Sequence, residues 1–156
     1  MAHFAPYFTF PFGGDPSGGK DVSNLINSQF FGVDLFFTDD LKVTPKGDWL
    51  VVDGLENLRR AIYRRLQVKP GEFRVRPDYG VGVHSYVKKA MPKSVLDALK
   101  QRITTQLSKD KRINKVVGVE LIPTTFGDDS GLKIRITVDV LGVIVRFKPF
   151  NFAEEK

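Results

Sequence analysis

Residues 132–140 alternate without a break. Leu132, Ile134, Ile136, Val138 and Val140 are apolar, and Lys133, Arg135, Thr137 and Asp139 between them are polar. A period of two sends the two sets to opposite faces of a strand, so this segment must be a strand with one buried face, and that face needs a covering layer. Residues 116–125 read as a preceding strand, and the glycine- and aspartate-rich run 127–131 as the hairpin connection between the two. Gly142 interrupts the pattern before residues 143–148, and it marks either a bulge in one long strand or a turn between two.

The covering layer is supplied upstream by two helical periods. Leu55, Leu58, Ile62 and Leu66 fall on one face, with Arg59, Arg60, Arg64 and Arg65 around the remainder. Leu96, Leu99, Ile103 and Leu107 repeat the pattern. Asp53 with Glu56, and Ser94 with Asp97, have the spacing of capping boxes. Ahead of the first helix, residues 41–43 and 49–52 read as extended segments around a turn at 44–48. The expected fold is therefore α+β: one small domain in which two main amphipathic helices pack on a mostly antiparallel sheet. An extended N-terminal arm precedes it.

Composition sets three expected segments, a Phe/Gly/Pro-rich arm over 1–32, a folded domain over 33–149 and an acidic tail over 150–156. Five rings, Phe4, Tyr7, Phe8, Phe10 and Phe12, crowd the start of the arm, ahead of a Gly-rich linker at 13–19. Disordered segments are poor in aromatics, so these rings are expected to anchor on a neighbouring subunit, or else to fold back over the chain's own core. No cysteine is present and only two histidines, which argues against thiolate metal sites and disulfides and implies no cofactor. The start lacks a signal-peptide pattern, and no run is long enough to span a membrane.

Charge is unevenly spread. Residues 59–115 carry sixteen Lys or Arg against Glu72, Asp78, Asp97 and Asp110, while the rest of the chain is net acidic. A basic middle implies a polar partner, and without a nucleic-acid motif a protein surface fits better than DNA or RNA. In this basic region lies the run Gly71-Glu72-Phe73-Arg74-Val75-Arg76-Pro77-Asp78-Tyr79-Gly80. Pro70-Gly71 ends the first helix, and alternation would put Glu72, Arg74 and Arg76 on one side and Phe73 and Val75 on a core. Arg74 and Arg76 would then hold Glu72 in a structural salt bridge. Glu72 and Asp78 also form a superficial carboxylate pair, but a glycosidase needs one carboxyl kept protonated in an apolar pocket, so catalysis is not expected.

This run, preceded by the helix through residues 56–62 and by Gly47-Asp48-Trp49-Leu50, resembles the small baseplate wedge proteins of contractile phage tails. That family includes the sheath-initiator subunit of type VI secretion baseplates, and the likeness spans roughly residues 33 to 149. It implies a non-enzymatic baseplate component of the virion tail, made in the host cytoplasm. Its partners would be the larger wedge subunits and the tail sheath subunit, with tail tube or hub proteins as further contacts. The resemblance assigns wedge docking to Glu72, Arg74, Arg76, Pro77, Tyr79 and Gly80. It assigns sheath initiation to the C-terminal strands, where Ile134, Ile136, Val138, Val143, Val145 and Phe147 would receive a sheath strand at an open edge. The readings set against it are a basic nucleic-acid-binding module and a cell-wall hydrolase.

Overall fold

The computed structural model describes residues 8–9, 28–36, 40–87, 91–126 and 129–153. The chain divides into two compact units, residues 19–61 and residues 1–18 with 62–156, and the division falls inside the first long helix.

In the smaller unit, α1 (Ser28–Phe31) leads through Gly32 into β2 (Asp34–Leu35), which pairs antiparallel with β3 (Val51–Val52). The expected turn closes between them: the Thr44 N–H donates to the Asp48 carbonyl at 2.7 Å, and Val43 bridges Trp49. Then α2 (Gly54–Gln67) begins. Its Asn57 is buried and donates from Nδ2 to the carbonyls of Phe31 and Gly32, both at 3.0 Å, which satisfies the end of α1. No capping box closes from Glu56, whose carboxylate instead faces Arg59 and Arg60 at 3.6 and 3.4 Å.

The larger unit is built on a five-stranded sheet. Its spine is β5 (Asp129–Val140), antiparallel to β4 (Lys115–Phe126) along its whole length. On the other side of β5 lie two strands in succession, β6 (Val143–Arg146) against its C-terminal part and β7 (Phe150–Ala153) against its N-terminal part. Both are antiparallel to β5, and the extra residue between them is absorbed at 147–149, where Pro149 cannot donate to a ladder. Phe150–Ala153 is thus core sheet and not part of a tail, with Phe150 and Phe152 buried. Finally β1 (Phe8–Thr9) pairs parallel with β6, Phe8 opposite Val145 and Thr9 opposite Arg146.

The alternation in β5 is obeyed in full: Leu132, Ile134, Ile136, Val138 and Val140 are all completely buried. Ile62 and Leu66 of α2 and Leu99, Ile103 and Leu107 of α4 (Lys93–Leu107) are buried as their spacing predicts, and α4 lies against β4. Helix α4 starts one residue before Ser94, because Pro92 takes the cap position with φ −62° and ψ 157°, and its carbonyl accepts the Val95 and Leu96 N–H groups. Ser94 therefore sits inside the first turn, and no side chain caps the helix. The short α3 (His84–Val87) packs on β5 and β7, with the His84 ring edge-on to Phe152 at 5.2 Å and Tyr63 stacked on Phe150 and Phe152. Gly142 marks a turn: Val140 pairs with Val143, and the two residues between, Leu141 and Gly142, both have positive φ, 52° and 78°. That is the two-residue hairpin turn whose twist matches the strands it joins.

Candidate docking site

The loop after α2 is a chain of tight turns and not an extended segment. The Gly71 N–H donates to the Pro77 carbonyl at 2.8 Å and closes the neck, while Arg76 N–H bonds Phe73 O and Tyr79 N–H bonds Arg76 O within it. Alternation therefore does not apply, and Val75 is 93% exposed and Phe73 48% exposed, where alternation predicts a core contact. Glu72 makes no salt bridge with Arg74 or Arg76. Its Oε2 accepts the Lys69 backbone N–H at 2.9 Å, three residues back, so the carboxylate shapes the loop's own start.

The segment from Gly80 to Val83 holds the loop down. Gly80 is buried with φ 101°, and a Cβ there would stand 2.2 Å from the Val68 carbonyl oxygen. Only glycine lets the two backbones pass. Val81 and Val83 N–H groups then bond the Arg65 and Leu66 carbonyls, satisfying the last turn of α2.

Arg65, from the helix face that periodicity assigns to water, turns inward at the loop's base. Its Nη1 donates to the Gln106 carbonyl at 2.6 Å, its Nη2 lies 3.6 Å from Asp110 Oδ2, and its guanidinium sits 5.0 Å from the centre of the Tyr79 ring. Tyr79 in turn meets Phe73 at 5.7 Å. Gln106 donates from Nε2 to the Asp78 carbonyl at 2.7 Å, and Lys109 Nζ pairs with Asp78 Oδ2 at 2.7 Å. Asp110 is buried and bridged by Arg112 through Oδ1 at 2.9 Å and Oδ2 at 2.7 Å. Burial pushes the Asp110 carboxyl up, but the Arg112 hydrogen bonds and the charges of Arg112 and Arg65 outweigh it and hold it below the usual carboxylate range. Asp78 is also held low, first by its Lys109 hydrogen bond and then by the Lys109 charge.

The six residues assigned to wedge docking thus separate by role. Glu72, Arg74, Arg76 and Pro77 are exposed on one loop, whereas Tyr79 is half-buried and Gly80 buried in its seat. Arg65, Gln106 and Asp110 build that seat, and sequence reasoning misses all three. The available signal is Asp110 itself, one of four acids in a strongly basic stretch.

The strand site is arranged differently from expectation. Ile134, Ile136 and Val138 point into the core from a strand paired on both sides, so they line no open edge. Val145 and Phe147 are also buried, Val143 is half-buried, and β1 pairs with Val145 and Arg146 on the outer edge of β6. Among the described residues of this sheet, β4 and β7 have no partner on their outer edges, and the longer of the two, β4, carries a bulge between Val116 and Gly118 and exposes Val117, Glu120, Ile122 and Pro123. Of the aromatic arm, Phe4, Tyr7, Phe10 and Phe12 lie outside the described residues, and the Phe8 backbone pairs with the chain's own sheet.

In the smaller unit, the cross-strand pairs Leu35/Val51 and Val43/Trp49 are all exposed, flanked by exposed Val33 and Leu41. No group of three or more His, Cys, Asp or Glu that could hold a metal occurs among the described residues, nor any helix long and apolar enough to cross a membrane. The chain belongs to the contractile injection system sheath initiator family, whose model matches residues 33–142. It is accordingly a structural part of contractile tail machinery.

Two solved structures share the fold. A chain of the anti-feeding prophage baseplate, solved by cryo-electron microscopy with six-fold symmetry, is 21% identical with a TM-score of 0.58, over 74% of this chain and 89% of that one. A putative tail lysozyme from Geobacter sulfurreducens is 20% identical with a TM-score of 0.52, over 69% of this chain and 97% of that one. No curated protein matches the sequence.

Proposed function

We propose that this protein docks on the larger wedge subunits of a contractile tail baseplate through its 71–80 loop and starts sheath assembly through a sheet edge. The observation that carries the docking half is the contrast between the loop's base and its tip. The base is fixed by the Gly71–Pro77 closure, the Gln106–Asp78 bond and the Arg65–Tyr79 stack. At the tip, Arg74, Val75 and Arg76 are exposed, and neither arginine makes an ion pair among the described residues. A loop ordered before binding loses little entropy on binding, and unpaired guanidinium groups around an apolar side chain suit an acidic groove on a protein partner. The exposed face around Trp49 offers those subunits a second, apolar contact.

The sheath half is supported by the bare outer edge of β4, whose unpaired backbone groups can take up an added strand. The bulge at Val117 and the missing donor of Pro123 limit the accessible run to the residues between them.

The test is copurification of Arg76→Ala and Val75→Asp with co-expressed wedge subunits, with circular dichroism to check folding. If the loop is buried at the interface, uncompensated charge there costs about 3–5 kcal/mol and capture is lost while the melt is unchanged. Capture at the wild-type level would defeat the docking half. Leu121→Pro, which deletes a backbone donor on β4, tests the sheath half by leaving baseplates that carry no sheath.

The putative lysozyme among the structural relatives raises a hydrolytic reading. Asp78 is paired with Lys109 and held ionised, so it is not poised as a proton donor, and Glu72 Oε2 is taken up by the Lys69 backbone N–H. Cell-wall turnover by the purified protein, lost in Glu72→Gln, would favour that reading over ours.

A further inference from the structure

We infer that the apolar face of the smaller unit is a self-association surface, on which a second copy of this chain sits in the free protein. The inference concerns the protein before assembly and depends on neither loop docking nor sheath initiation.

Three observations point this way. First, the face is continuous. Leu35 lies opposite Val51 and Val43 opposite Trp49, and Trp49 and Val51 are two residues apart on one segment, so all four side chains share one side of the ribbon. Val33 and Leu41, two residues before Leu35 and Val43, extend that side by alternation, and all six are between 41% and 58% exposed. The intervening positions turn the other way, where Val52 is buried and the Arg60 guanidinium of α2 stands 4.0 Å from the centre of the Phe36 ring. The ribbon therefore has one face held by its own helix and one left bare among the described residues.

Second, no charge stands on the face, since Asp34 and Lys42 occupy intervening positions. The unit is also close to balanced: residues 19–61 carry five Lys or Arg against seven Asp or Glu, while the rest of the chain carries nineteen against eleven. Two copies of a basic chain repel least where its charge is lowest, so this face is where they can meet. Third, the area fits a weak symmetric contact. Six half-exposed side chains offer on the order of 400 Å² of apolar surface, as much as the largest patch that monomers ordinarily leave bare. Two such ribbons stacked about 10 Å apart would bury it in a two-layer sandwich, and a two-fold axis makes the face its own complement. The contact falls short of the roughly 800 Å² per partner of a stable complex, which puts the dimer in the micromolar range and leaves a wedge subunit able to displace the second copy.

Trp49 is the only tryptophan of the chain, so its emission reports on the face directly. Sedimentation velocity of the full-length protein from about 1 to about 200 μM should show the mean mass rising from 17.6 kDa toward twice that. Trp49 emission should move to shorter wavelength in step, as the ring leaves water. Val43→Lys, at a side chain 58% exposed, puts a charge on both halves of a symmetric contact. It should raise the dissociation constant at least about tenfold with the melting temperature unchanged, and Val33→Lys, outside the paired strands, should act alike should the first variant misfold. Val117→Lys, which charges the bare β4 edge instead, should associate like wild type. A single 17.6 kDa species at every concentration would overturn the inference: with long-wavelength emission it hands the face to another protein, and with short-wavelength emission to a segment of the same chain. Association kept in Val43→Lys and Val33→Lys but lost in Val117→Lys would overturn it as well, by placing the contact at the strand edge.

Discussion

Arg65 and Asp110, forty-five positions apart in the chain, meet at 3.6 Å beneath the 71–80 loop, where Arg112 closes on the same carboxylate oxygen at 2.7 Å. Two guanidinium groups on one buried carboxylate make Asp110 the element whose loss strands the most charge. Asp110→Ala should destabilise the fold by about 3–5 kcal/mol, measured by urea denaturation. Asp110→Asn, which keeps the shape, should cost less.

The same carboxyl sets an acid limit. Its folded pKa lies below its unfolded value, so its contribution is fully present above the unfolded value of about 3.9 and is lost as pH falls toward and through the lower folded one. Melting temperatures recorded from pH 6 down to pH 2 should fall over that window. In Asp110→Asn the fall should be shallower, and a parallel decline in both proteins would contradict the assignment.

Gly80→Ala would put a methyl group 2.2 Å from the Val68 carbonyl oxygen at a backbone angle that side chains avoid. Strain and overpacking together predict a loss of at least about 2 kcal/mol. Gly118→Ala is the control, since nothing lies within 4 Å of its added Cβ and its φ is ordinary. Its stability should stay within about 1 kcal/mol of wild type.

Leu141 holds φ 52° in a turn position that favours Asn, Asp or Gly, and its side chain is exposed. Leu141→Asn should raise stability by up to about 1 kcal/mol, read as a higher denaturation midpoint at unchanged slope.

Much of this architecture can be read from the sequence wherever one periodicity runs long enough to be unambiguous. The five buried residues of β5 and the stripes ending in Leu66 and Leu107 are such cases. The loop cannot be read that way, because alternation places side chains only in extended chain, and the Gly71–Pro77 closure folds these residues into turns that push Val75 outward. Helical position alone sends Arg65 to solvent, although a guanidinium can turn inward when a carboxylate from another helix end meets it. Strand β7 is hidden by its length, four residues beside an acidic end, and only its pairing with β5 identifies Phe150 and Phe152 as core. Which edge of the sheet stays bare is a property of topology, and no local pattern carries it.

The docking claim is tested most directly by electron microscopy of particles assembled with Val75→Asp in place of the wild-type protein. Val75 is 93% exposed and contributes nothing to the core, so the variant should melt like wild type. Docking through the loop predicts baseplates without this protein and tail tubes without ordered sheath. Fully sheathed, contractile tails carrying the variant at normal occupancy would contradict it.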